Sequence, residues 1–184
     1  VEHAGALNAA LLSHDGTSLA TASVDGTVRF WDLRPKRPEP AVYRQPNEVW
    51  DAMFSPDGSW FVMGGDPGAE IRDARTGALR HALPMGNMIS RVAISPDSRR
   101  VAVTTERGTL RVWNSNEGTP ATPELRLGEA LHEFAYSHDG RWIVTGPPSH
   151  VVQLLDADTG EPAMPGFQAA ARSSGPCSRR TTPH

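Results

Sequence analysis

Of the 184 residues only one, Cys177, is a cysteine, which excludes an internal disulfide framework and a CxxC metal knuckle. No apolar run approaches the roughly 18 to 20 residues that a membrane-spanning helix needs, and the chain does not open with a basic segment followed by an apolar one in the manner of a signal peptide. None of Asn8, Asn47, Asn87, Asn114 and Asn116 begins an N-x-S/T glycan acceptor. Together these absences lead to the expectation of a soluble, cytoplasmic chain with no membrane contact. A formal charge of −3 supplies no concentrated basic field, so nucleic acid is not an expected partner. HExxH, GxSxG, GxxxxGKS/T and GxGxxG are all missing, which removes the usual signatures of metal, acyl-transfer, nucleotide and dinucleotide chemistry. The expectation is therefore a non-enzyme without a cofactor.

What the chain does have is turn formers. Seventeen glycines and sixteen prolines against 38% apolar residues favour many short elements joined by tight turns, an all-β composition. Those turns are periodic. "SHDG" (13–16), "SPDG" (55–58), "SPDS" (95–98) and "SHDG" (137–140) recur with their fourth residues stepping by 42, 40 and 42. Pro56 and Pro96 preset φ at the second position, and the fourth position favours glycine, so Ser98 is expected to be slightly strained.

Short apolar segments flank each turn, for example "VWDAMF" (49–54) before and "FVMGG" (61–65) after, which predicts a hairpin. A third strand follows, "TVRFW" (27–31), "AEIR" (69–72), "TLRVW" (109–113) and "VVQLL" (151–155), with the alternation of a half-buried strand. A weaker fourth strand closes each unit near 41–43, 78–83, 124–127 and 163–167. Units of about 40 residues made of four antiparallel strands have the size of propeller blades. The expected organisation is four blades over 1–167, about 3–44, 45–84, 85–127 and 128–167, then a disordered basic tail over 168–184 with Arg172, Arg179 and Arg180.

"HAGALNAALLSHDGTSLATASVDGTVRFWD" (3–32) resembles a repeat of the WD-repeat (WD40) β-propeller family, with divergent copies of bacterial type after it. The resemblance implies a hydrogen-bonded structural tetrad of His3, Ser23, Asp25 and Trp31, with Thr21 as the alternative to Ser23 on the same strand face. Later repeats lack parts of the set: Gln45, Met85 and Leu127 stand for His3, and Arg72, Trp113 and Leu155 for Trp31. Propellers close with about four to eight blades, and most of this family with more than four. An incomplete propeller is therefore expected, a segment of something longer, as the start at Val1 also suggests; its open blade edges would favour self-association.

The same resemblance implies a protein-binding scaffold whose working face carries the loops before strand one and between strands two and three. Asn47, Met85, Asn87, Met88, Arg107 and His150 are the expected partner-binding residues. Two alternatives stay open at this point. One is the sensory or regulatory segment of a larger bacterial signalling protein, such as a kinase-linked propeller; the other is a propeller enzyme with a metal site, for which His14 and His138 would be too few ligands. "GGDPGAE" (64–70) has the glycines of a phosphate loop but no following lysine or helix, and reads as a hairpin turn. Trp60 and Trp142, at the start of equivalent strands, read as packing residues, and "RPKRPEP" (34–40) as a stiff solvated connection.

Overall fold

The computed structural model describes residues 3–13, 15–33, 41–44, 47–128, 130–131, 133–146, 151–163 and 167–168. Strands β1 (Leu7–Leu12), β2 (Ser18–Ser23), β3 (Thr27–Asp32) and β4 (Ala41–Arg44) form the first antiparallel sheet. The second consists of β5 (Val49–Phe54), β6 (Trp60–Gly65), β7 (Gly68–Asp73) and β8 (Leu79–Pro84). The third holds β9 (Ile89–Ile94), β10 (Arg100–Thr105), β11 (Thr109–Asn114) and β12 (Leu125–Arg126), and the fourth β13 (Glu133–Tyr136), β14 (Trp142–Gly146), β15 (Val151–Asp156) and β16 (Phe167–Gln168). Each sheet is a meander in chain order. The described residues contain no helix.

The four S-x-D-G/S turns are built alike, and their serine does more than open them. Ser13, Ser55, Ser95 and Ser137 each donate Oγ–H to the aspartate two residues on at 2.6 Å. The same oxygen accepts the amide of the residue five positions on, at 2.9 to 3.1 Å. One side chain thus ties both arms of the hairpin, while the aspartate accepts the amide just beyond the turn. These bonds stabilise the Asp15 carboxylate, which the Ser13 hydroxyl and the Thr17 amide and hydroxyl lower to about 2. Ser98 takes φ of 60°, where the other three copies have glycine. Its hydroxyl gains a bond in exchange, accepting the Asp57 amide of the preceding blade at 3.2 Å.

Three cores lie between the sheets rather than within them. Ala20, Ala22, Val28 and Phe30 of blade one pack on Val49, Ala52, Phe61 and Met63 of blade two. There Phe30 and Phe61 have centroids 4.3 Å apart, and Tyr43 lies against Gly77, where any Cβ would overlap its ring. Trp60, Val62 and Ile71 of blade two face Val92, Val101 and Val103 of blade three, and Ala102, Leu110 and Val112 face Ile143, Leu155 and Ala157 of blade four. Every residue of a strand with alternating sides is therefore used: one side faces the blade before, the other the blade after.

The first strands of successive blades stand side by side, β1 with β5, β5 with β9 and β9 with β13. Their register shifts by one residue at Asn8, Trp50 and Ser90, three equivalent positions. Such bulges re-aim a side chain, and here they aim it at the next blade. Asn8 Nδ2 donates to the Val49 carbonyl at 2.8 Å and Ser90 Oγ to the Leu131 carbonyl at 2.9 Å. Asp51 makes a further tie, accepting the Val92 amide at 2.9 Å. Among the described residues no contact of comparable extent joins the fourth sheet to the first. The four blades form a partial propeller.

Candidate functional site

The histidine, threonines, aspartate and tryptophan of blade one form a single hydrogen-bonded chain. Trp31 Nε1 lies 3.3 Å from Thr21 Oγ1, which lies 2.7 Å from His3 Nε2. His3 Nδ1 is 3.2 Å from Asp25 Oδ2 and 3.1 Å from Thr27 Oγ1. With the proton on Nδ1, each link has one donor: indole to Thr21, Thr21 to His3, and His3 to Asp25. Asp25 also accepts the amides of Ala4 and Thr27 at 2.9 Å and the Thr27 hydroxyl at 2.5 Å. Burial pushes the Asp25 carboxyl up, but its bonds from Thr27, Ala4 and His3 outweigh this and hold it well below the usual carboxylate range.

This chain locates the hydroxyl member at Thr21, the alternative, in place of Ser23. The two alternate to the same side of β2, but Thr21 lies next to the indole nitrogen, and Ser23 sits nearer the turn, where its Oγ accepts the Asp25 amide at 3.1 Å. Sequence reasoning also missed Thr27. Its T directly after the D-G turn was the available signal.

Equivalent positions in the other blades hold separated parts of the chain. Strand register equates Thr21 with Met63, Val103 and Thr145, and Trp31 with Arg72, Trp113 and Leu155. Blade three has the indole but a valine beside it, and Trp113 Nε1 is buried without a partner among the described residues. Blade four has the hydroxyl but a leucine beside it, and Thr145 Oγ1 is likewise buried and unpaired. In blade two Arg72 replaces the indole and pairs with Glu70 at 2.7 Å. Where Arg107 stands for Asp25, the flanking Thr105 and Thr109 hydroxyls meet directly at 2.6 Å. Thr21, His3 and Asp25 stand in the hydroxyl–imidazole–carboxylate order of a catalytic relay, but Thr21 is 2% exposed, its oxygen accepts the Trp31 indole N–H and the His3 side chain is buried, so the chain is closed to a substrate and has the character of a brace.

At the end of the blades that carries the β2–β3 turn and the loops into β5 and β9 lies a cavity of about 430 Å³. Blade one contributes Val24, Asp25 and Gly26, blade two Asn47, Glu48, Trp50 and Asp66, and blade three Met88. Its loops are braced across their bases, since Asn47 Nδ2 donates to the Asp66 carbonyl at 3.0 Å. The lining mixes an aromatic ring, a thioether and three carboxylates, and Trp50 Nε1 is buried without a partner among the described residues. Among the described residues no three His, Cys, Asp or Glu side chains are grouped to hold a metal ion.

The family model WD40, described as "WD domain, G-beta repeat", matches residues 1–32 and 80–114. Those two segments are WD repeats. The second match begins on β8 and ends on β11, so a sequence repeat takes the outer strand of one blade with the first three of the next.

Among curated proteins, the chain is 28% identical over 120 residues to "Protein LST8 homolog" of Drosophila melanogaster, covering 60% of this chain and 38% of that protein. It is 22% identical over 164 residues to "WD repeat-containing protein SL1-17" of Schistosoma mansoni, covering 85% and 52%. To "Angio-associated migratory cell protein" of Homo sapiens it is 26% identical over 176 residues, covering 86% and 37%. The chain thus spans about half the length of these relatives or less.

The expected WD-repeat working face divides as follows. Asn47 and Met88 line the cavity. Asn87 lies beside Met88, half-buried, and Arg107 is exposed on the β10–β11 turn. Met85 does not belong to the surface: it is 6% exposed and part of the core between blades two and three. An unbranched apolar side chain at a strand end fills such a gap more favourably than it stands in water. His150, Gln45, His14, the 34–40 connection and the tail beyond Gln168 lie outside the described residues, and His138 is exposed on its turn. Glu48, Trp50 and Asp66 of blade two were missed as lining residues, because the cavity they share with Val24 and Met88 exists only when blades one to three are assembled.

Proposed function

We propose that the chain is a non-catalytic protein-binding scaffold, and that its working surface is the cavity end of blades one to three. The observation that carries this reading is the cavity itself, assembled from the loops of three blades and lined by Trp50, Met88 and Asn47 together with Glu48 and Asp66. Its mixture of aromatic, thioether and polar groups has the composition of interface cores. The WD-repeat relationship supports it, because such scaffolds work by presenting loops. Rigid sheets hold those loops in place before the partner arrives, so little entropy is lost on binding.

Affinity capture from cell extract tests the proposal, with the wild type compared with a Glu48→Lys/Asp66→Lys double variant and with a Ser59→Lys/Arg75→Glu variant at the opposite end. The captured partner, once purified, should bind the cavity-end variant at least tenfold more weakly and the opposite-end variant unchanged. Binding lost only from the opposite-end variant would refute the assignment.

A further inference from the structure

The first strands of blades one, two and three carry their bulge residues, Asn8, Trp50 and Ser90, at equivalent positions, yet the three side chains are used differently. Asn8 and Ser90 each donate to a carbonyl of the following blade, Val49 and Leu131. Trp50 makes no such tie, since its Nε1 has no partner among the described residues. The residue lines the cavity instead and is half-buried. Blade two thus gives up a bond between blades and places a large aromatic side chain in the cavity wall.

The three carboxylates of the lining are not equivalent. Asp25 is already engaged by His3, Ala4 and Thr27. Glu48 and Asp66 are not: among the described residues their carboxylates make no hydrogen bond or ion pair, and the bond from Asn47 falls on the Asp66 main-chain carbonyl. Arg44, at the end of β4, and Arg107, on the β10–β11 turn, stand at the same end of the blades, but neither lines the cavity. No grouping of three His, Cys, Asp or Glu side chains to hold a metal ion occurs among the described residues. The cavity therefore presents two carboxylates without counter-charge beside an aromatic residue, in a volume of about 430 Å³ that suits a side chain or small ligand.

We propose that the cavity takes an arginine side chain of the protein partner, with the guanidinium against Trp50 and paired with Glu48 and Asp66. This deepens the scaffold reading above and rests on it. A guanidinium stacks on an indole, donates in forked pairs to carboxylates and is more weakly hydrated than an ammonium, so it leaves water at lower cost. Val24 and Met88 offer apolar contact to its methylene stem.

Nuclear magnetic resonance of the full chain tests this, with the Trp50 indole N–H signal identified by its loss in Trp50→Phe. The probe is the blocked tripeptide acetyl-Ala-Arg-Ala-amide, and its control carries citrulline, which keeps the shape of the side chain without its charge. The arginine peptide should shift the Trp50 signal saturably, and the citrulline peptide should bind at least tenfold more weakly. Glu48→Gln/Asp66→Asn should weaken the arginine peptide at least tenfold with the circular dichroism spectrum unchanged, and added salt should weaken it as well. Absence of a saturable shift, equal binding of the two peptides, or indifference to the carboxylate variant would each overturn the proposal. So would calcium chloride producing the same shift, which would assign the carboxylates to a metal. The comparison of peptides uses the wild type alone and decides the matter even if the variant fails to fold. A purified partner that needs Glu48 and Asp66 but binds unchanged after its arginines are replaced by glutamine would overturn this inference and leave the scaffold reading standing; a partner lost only from the opposite-end variant would remove both.

Discussion

A single substitution, threonine to valine, is expected to have opposite signs at two equivalent positions. At Thr21 the hydroxyl accepts from Trp31 Nε1 and bonds His3 Nε2. Valine there strands a partly buried indole N–H and an imidazole nitrogen, at about 1 to 3 kcal/mol for a stranded group, so Thr21→Val should destabilise by about 2 kcal/mol. At Thr145, which is 1% exposed, the hydroxyl has no partner among the described residues. Removing it relieves a desolvation penalty without changing shape, so Thr145→Val should stabilise by about 1 kcal/mol. The reciprocal change, Val103→Thr, supplies an acceptor beside the unpaired Trp113 Nε1, and its coupling to Trp113→Phe in a double-mutant cycle should be about 1 kcal/mol. Urea titration of all three variants gives the free energies, and melting gives the same order at roughly 2 to 4 °C per kcal/mol for a chain of this size. If Thr21→Val and Thr145→Val destabilise equally, or if the cycle couples by less than a few tenths of a kcal/mol, the reasoning fails.

Acid should weaken the fold through its turn carboxylates. Asp25, Asp73, Asp97 and Asp139 are all held below their ordinary values in the folded chain, as is Asp15, at about 2. Their contribution is complete above the unfolded value near 4 and is lost as pH falls through the folded values. Unfolding followed from pH 5 to pH 2 should show this decline, and Asp25→Asn should make it shallower. Asp51 has the opposite sign: burial pushes it up, against the bonds from Val92 and Ala52. Stability from this group is greatest below pH 4 and declines as pH rises through its raised value, so Asp51→Asn should compare more favourably with the wild type at pH 7 than at pH 4. Ser98→Gly and Ser98→Ala both remove the hydroxyl, but only glycine is at ease at a φ of 60°. The glycine variant should therefore be the more stable of the two by about 1 kcal/mol, and equal urea midpoints would refute the strain.

The local half of the structure was legible because its physics is local. A serine and an aspartate placed four times at nearly equal spacing, with glycine closing three of the four, specify a hairpin turn through their own hydrogen bonds, whatever packs above them. Alternation then assigns strand sides, and with them the blade. Alternation cannot separate Thr21 from Ser23, which share a side two residues apart; the position of the indole nitrogen did that. Nor can it place Met85, whose burial depends on how closely blade three approaches blade two.

The sequence by itself determined a repeated four-stranded unit, its turns and the two-sidedness of every sheet, since each follows from bonds and periodicities spanning a few residues. Only the tertiary structure decided which groups meet: the chain from Trp31 through Thr21 and His3 to Asp25, the Trp113 and Thr145 polar atoms without a partner among the described residues, and the cavity drawn from three blades. These depend on residues far apart in the chain, such as Asn8 and Val49 or Val24 and Met88, whose distance is set by packing between blades and by no pattern within one.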